Sequence, residues 1–426
     1  MRAGGGAQAL LVNGNVGGNV KINGALTQNA SYTADDNSTQ TLPRSALSTG
    51  KAAVEINGNV GGGIIVTTAS GSGSTAETTG SIQSVGNGPA LQIGGANDIT
   101  VGGVAGSTGT YSVAIDGSVG ASATFSSTNA SAVVIGGKGG NVTLTKGIGI
   151  SGSVTATTVD SGAVGVLINA GSTVGSLNNS GTISAVISQP GIGSSAAIKD
   201  LSGTLTAIDN TGDISVTGSS EDQLAAIDVS TNTSGVTIKQ YLNTADAAAQ
   251  KTEKDATGYD PDTAKVYTSI TGNIYTGSGN DTLDVGSGKI TGKTFLAAGN
   301  DTVKLADDAK YIGDIDFGTG TATMSMAANS RFTGTLILND QIGTLTLTDK
   351  AIYRGTVTGG SQLGVTVNGG TFAANSATTT TIKSLDVGAT GTLGVYVDGA
   401  AGTSSKLVAT TANFASGAKI AATVTS

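Results

Sequence analysis

Histidine, cysteine and tryptophan do not occur in this sequence. Without histidine there is no Ser-His-Asp or Cys-His nucleophile system, no imidazole base and no His-ligated zinc. Without cysteine there is no disulfide framework and no thiolate metal site, although that alone assigns no compartment. Aromatic side chains are scarce, six Phe and nine Tyr, so neither a bulky globular core nor an aromatic-lined sugar cleft is well supplied. Charge is thin and tilted acidic: 21 Lys and Arg against 29 Asp and Glu leave a net charge of −8. That balance argues against nucleic acid or an anionic membrane surface as a partner. No apolar run approaches the roughly 18 residues of a spanning helix. The opening Met1-Arg2-Ala3-Gly4-Gly5-Gly6 is unlike a signal peptide, so if the chain is exported its signals are expected to have been removed.

Glycine, by contrast, occurs 68 times, amid abundant Ala, Ser, Thr, Val and Asn and only four Pro. Such a composition suits many short strands joined by small turns. Residues 269–387 add a period. Apolar pairs flanking one polar residue recur as Leu283/Val285, Val303/Leu305, Met324/Met326, Leu345/Leu347, Val365/Val367 and Leu385/Val387, in steps of 20, 21, 21, 20 and 20. Glycines at 272, 292, 313, 334 and 355 keep the same step. Self-similarity at a fixed period marks a repeat architecture. An apolar-polar-apolar triplet is the alternation of a strand with one buried face, and about 20 residues leave room for two or three strands but not for two helices. The predicted fold is therefore all-β, a parallel β-helix (β-solenoid) with coils of about 20–22 residues and surface loop insertions, roughly 17 to 20 coils in all.

The first half repeats more loosely. Residues 9–18 return at 53–62 with an offset of 44 from Val12 to Ile56, read as two coils of about 22. Ile93, Ile115 and Ile135 follow in steps of 22 and 20, and Leu177 to Ile183 resembles Ile208 to Ile214, 31 residues later, read as a coil plus an excursion. Polar, breaker-rich insertions are expected at 26–50, with Asp35, Asp36, Pro43 and Arg44, at 67–88, and at 242–265, where charge is densest. The last has helix-forming composition after a possible Thr244 cap and is either a short helix packed on the solenoid or a solvated loop. The resulting plan is an irregular β-helix over 1–241, a charged insertion over 242–268, regular coils over 269–332 and a C-terminal β-helical segment over 333–426.

Candidate chemistry is limited to carboxylates and to Lys or Arg on a β-helix face. Asp281 in Gly277-Ser278-Gly279-Asn280-Asp281 and Asp301 in Gly299-Asn300-Asp301 partly resemble a calcium-binding β-roll nonapeptide. Such a roll needs its motif every nine residues, whereas these aspartates are 20 apart and Ala322 takes the next place, which favours stacked turn residues over a calcium site. Asp260 and Asp262 around Pro261 are a weaker metal motif still. Asp314 and Asp316, two apart on one strand face, with Asp307-Asp308 one coil earlier and a nearby Lys, suggest a polysaccharide-cleaving enzyme, since a glycosidase needs two carboxylates across a cleft. A polar outer face near a turn is the plainer reading.

The run 176–186, the Gly-Asn-Asp turns at 279–281 and 299–301, and above all Ser384 to Val397 with Leu407, Val408 and Gly417 to Ile420 resemble the passenger domain of a bacterial autotransporter of type V secretion. The resemblance implies Sec-type export, passage through the protein's own outer-membrane β-barrel translocator, and display on the bacterial cell surface, attached or secreted. It also implies that 333–426 resembles the autochaperone segment that folds first. Neither signal peptide nor barrel is recognisable here, and no catalytic residues carry over. On that basis the chain is expected to be a non-catalytic, cofactor-free structural or adhesive surface protein, able to self-associate or to hold a surface or carbohydrate ligand. The alternatives are a carbohydrate-active β-helix enzyme and a calcium-ordered surface-layer subunit.

Overall fold

Apolar-polar-apolar triplets become strands and the glycine- and asparagine-rich joints become turns throughout the computed structural model, which describes residues 2–4, 6–34, 38–70, 78–189, 193–218 and 224–425. Nearly every strand pairs in parallel with one belonging to the preceding and following coil, so the chain is a parallel β-helix. Two compact units are formed, Met1–Asn232 with Thr271–Asn273, and Thr233–Ile270 with Ile274–Ser426.

The first unit has three long ladders. One runs through Leu10–Val12, Val54–Ile56, Leu91–Ile93, Ala130–Ile135, Ala163–Ile168, Ser195–Asp200 and Leu224–Asp228. A second passes from Ala25–Asn29 through Ser81–Val85, Ser118–Ser122, Ser153–Thr158 and Thr182–Ile187 to Asp213–Thr217. The third passes from Val20–Ile22 through Ile64–Val66, Val113–Ile115, Ile148–Ile150 and Ser176–Asn179 to Ala207–Asn210. Coils here are longer than the 20–22 residues expected. Val12 pairs directly with Ile56, so 44 residues make one coil rather than two. Ile93 likewise pairs with Ile135, while Ile115 lies in the third ladder between Val66 and Ile150. The 31-residue step from Leu177 to Ile208 is one whole coil. Similar triplets on different faces of a wide coil mimic a shorter period, because burial imposes the same alternation on each face. Longer coils also mean fewer of them: among the described residues the ladder from Leu10–Val12 to Leu224–Asp228 has seven strands.

In the second unit the period is realised strand by strand. Leu283 pairs with Val303, Val303 with Met324, Met324 with Leu345, Leu345 with Val365 and Val365 with Leu385. All six are buried. The ladder on another face runs Lys289–Thr291, Lys310–Ile312, Arg331–Ile337, Ile352–Thr358, Thr371–Ala373 and Thr392–Asp398, crossing residues 332–333 without interruption. Its inward column contains four aromatic residues. Tyr311, Phe332, Tyr353 and Phe372 stack with centroid separations of 5.6, 4.9 and 5.0 Å. The Tyr311 hydroxyl donates to Thr294 Oγ1 at 2.7 Å and Tyr353 to the Thr356 carbonyl at 2.6 Å, and burial pushes both phenols well above their ordinary pKa, keeping them protonated donors.

Beside this column the glycines turn the corner. Gly292, Gly313 and Gly334 have φ of 137°, 143° and 156°, and a Cβ on Gly313, Gly334 or Gly355 would overlap the carbonyl oxygen of the glycine one coil earlier. Hydrogen on Cα is what lets the corners stack at strand spacing.

The insertions resolve partly into coil. Leu26 and Ile82 belong to a ladder, leaving an antiparallel hairpin of Ser31–Thr33 with Thr39–Thr41 and a helix Arg44–Leu47 as the first excursion. Asp35, Asp36 and residues 71–77 lie outside the described residues. The third insertion carries a helix, Thr244–Lys254, whose cap is Asn243 rather than Thr244: the Asn243 side chain accepts from the Asp246 N–H at 3.0 Å.

Candidate functional site

Coil stacking brings Asp281 and Asp301 together as neighbours in one column, with Val236 before and Ala322 after them. Each carboxylate reaches back one coil: Asp281 Oδ1 accepts from the Val236 N–H at 2.7 Å and Asp301 Oδ1 from the Asp281 N–H at 2.9 Å. Both side chains are buried, and among the described residues none donates a hydrogen bond to Oδ2 of either. Burial pushes Asp301 up to about 6; the Asp281 N–H opposes this and the Asp281 charge adds to it. Burial also raises Asp281, against the Thr276 hydroxyl and the Val236 N–H. That hydroxyl donates to the Phe295 carbonyl at 3.4 Å, so it acts on Asp281 by proximity and not through a full hydrogen bond. Among the described residues no group of three or more acidic side chains is placed to hold a metal ion.

Asp301 binds its proton more tightly folded, at about 6, than an unperturbed aspartate does at 3.8, so its contribution to stability is fully present below about pH 4 and is lost as pH rises through about 6. The loss is at most about 3 kcal/mol. Urea midpoints measured from pH 4 to 7 are expected to decline more steeply in the parent than in Asp301→Asn, and parallel curves would refute the assignment.

Asp314 and Asp316 flank buried Ile315 and share an outer face, as expected. Their carboxylates tie down turns: Asp314 Oδ1 accepts from the Thr335 N–H at 2.9 Å, and Asp316 Oδ1 from the Gly318 N–H at 2.8 Å and Asn339 Nδ2 at 3.1 Å.

The densest constellation is one that motif reading did not assemble, the charged insertion docked on the coils. Lys254 Nζ, at the end of the helix, lies 2.5 Å from Asp307 Oδ1 and 2.6 Å from Asp308 Oδ2. Burial works against this ammonium, but the bonds to Asp307 and Asp308 outweigh it and hold the pKa above its ordinary value. Gln250, the buried residue of the helix, donates to Ser287 Oγ at 3.1 Å. Between helix and coil lies a cleft of about 330 Å3 lined by Tyr241, Leu242, Gln250, Lys254, Ser287 and Asp307.

Beyond the helix the chain returns over a column of three cations. Lys289 pairs with Lys310 and Lys310 with Arg331, so the three occupy one position on successive coils. Asp262 Oδ1 accepts from Arg331 Nε at 3.2 Å, and Lys310 Nζ donates to the Asp262 and Ala264 carbonyls at 3.2 and 3.3 Å. Burial lowers the Lys310 pKa; Asp262 and Asp308 oppose this, and Lys289 reinforces it. Asp260 and Asp262, read from sequence as a weak metal motif, are thus brought over lysine and arginine. The steps of 21 between Lys289, Lys310 and Arg331 were legible in sequence, next to the steps of 21, 21 and 19 between the stacked aromatics.

In the first unit, a shallow polar shelf of about 590 Å3 runs along Thr100, Thr143 and Thr173, which are in register on three coils. No protein-family model, curated protein or solved structure matches the chain.

Proposed function

We propose that this chain is a non-catalytic, cofactor-free structural or adhesive passenger of the autotransporter type, exposed on a bacterial cell surface as a β-helix that displays a binding face or assembles into a coat. The observation that carries the reading is the parallel β-helix itself, a scaffold whose backbone polar groups are satisfied coil to coil and which presents long outer columns of Thr, Ser, Asp and Lys. Engagement of the Asp314 and Asp316 carboxylates in turns supports a scaffold over a hydrolase. Protease added to intact cells of the source bacterium is expected to remove the chain while a cytoplasmic marker survives; protection equal to the marker's would overturn the reading. Electron microscopy of the purified chain over a range of concentrations separates the two modes, because filaments or sheets place function in assembly and isolated particles place it in display.

A further inference from the structure

We propose that Lys289, Lys310 and Arg331 form a recognition row for an acidic polysaccharide, kept shut at Lys310 and Arg331 by the turn at residues 260–264, which lies on these two as an internal stand-in for a uronate chain. Like charges directly opposite one another on paired strands are destabilising. Three in one column favour an anionic cover, in a chain whose net charge is −8; Arg331 also donates through Nη1 to the Asn329, Ser330 and Lys350 carbonyls, which leaves its Nε edge for the cover. The cover the protein supplies consists only of oxygens, one carboxylate on Arg331 and two carbonyls on Lys310, and Asp260 adds its field at Lys310. Carboxylate and neutral oxygens in alternation are also what a uronate polymer presents.

The cover is held on the row by three contacts, two carbonyls on Lys310 Nζ and one carboxylate on Arg331, and is followed by the Lys265 N–H donating to Glu253 Oε1 at 3.0 Å. The Asp262 side chain is 63% exposed and meets Arg331 through one contact rather than a fork, and exposed pairs of that kind contribute little. The other end is clamped: Lys254 bridges Asp307 and Asp308, and the Asp308 side chain is only 3% exposed. For a ligand to reach the row, residues 260–264 give up these three contacts to Lys310 and Arg331, while the helix Thr244–Lys254 stays seated. The row fits a polymer of one charge per sugar, since its step is the roughly 4.8 Å between parallel strands, comparable with one sugar ring. Duplex DNA, with one charge per roughly 1.7 Å of axis, matches the step poorly and is opposed by the net negative charge. The choice of a glycan rests on the surface placement proposed above; the latch does not.

The test uses the purified full chain and a fluorescent oligogalacturonate, followed by anisotropy at low salt. Asp260→Asn/Asp262→Asn is expected to bind at least about fivefold more tightly than the parent. The gain should vanish when Lys310→Gln and Arg331→Gln are added, and should fall with rising salt. Asp262→Asn alone, at an exposed side chain, carries the same test with no threat to the fold. Unchanged affinity, a gain that survives loss of the cations, or an equal gain for neutral dextran or duplex DNA would each overturn the proposal. Because the measurement is made in solution, its failure leaves the whole-cell protease result standing.

Discussion

Gly313→Ala is expected to destabilise the second unit by about 4 kcal/mol or to prevent its folding. Two costs combine. At φ 143° an L-residue is strained by about 1–3 kcal/mol. The new Cβ also overlaps the Gly292 carbonyl oxygen, and relieving that overlap requires backbone movement in an interior where overpacking costs about 1–3 kcal/mol, occasionally more. Neither partner of the clash is a flexible side-chain end, and Gly334 stacks on Gly313 in turn, so a local shift cannot absorb it. Gly175→Ala is the control. A Cβ there meets nothing within 4 Å, and its urea midpoint should stay within about 0.5 kcal/mol of the parent. If both variants unfold with the parent, the stacked glycine corner is not the constraint described.

Phe332→Ala is expected to destabilise the same unit by about 3–5 kcal/mol. Its ring is fully buried and stacked on both faces, against Tyr311 at 5.6 Å and Tyr353 at 4.9 Å. Truncation removes two ring pairs, each contributing about 0.5–1.5 kcal/mol beyond area, and leaves a cavity between two tyrosines whose hydroxyls are pinned by hydrogen bonds at the corner and therefore cannot slide to fill it. Phe414→Ala, at a ring 43% exposed, should lower stability by less than about 1 kcal/mol. Equal losses for the two variants would deny the internal aromatic column its role.

Both predictions concern columns, and columns are where the sequence was most informative. The pairs from Leu283/Val285 to Leu385/Val387 are ladder neighbours in the order their spacing implied. The cation and aromatic columns lie in the same interval at nearly the same step, but each is a single residue per coil without an alternating partner of its own type, so spacing alone does not mark them as stacked. In the first unit the period misled. Three faces of one wide coil carry nearly identical triplets, so Ile93, Ile115 and Ile135 looked like three coils although only the first and last are stacked.

The sequence by itself determined that this chain builds strands with one buried face, that glycine must recur at the corners, and that histidine, thiol and disulfide chemistry play no part in it, since alternation, φ and residue type are local properties. The tertiary structure alone decided how many residues close a coil, and which charges meet. Asp281 comes to Asp301, Lys254 to Asp307 and Asp308, and Asp262 to Arg331 only once coils are stacked and the insertion is laid across them. The physical reason is that a pairing between residues 20 to 69 positions apart is chosen by the free energy of the assembled coils, which no single segment carries.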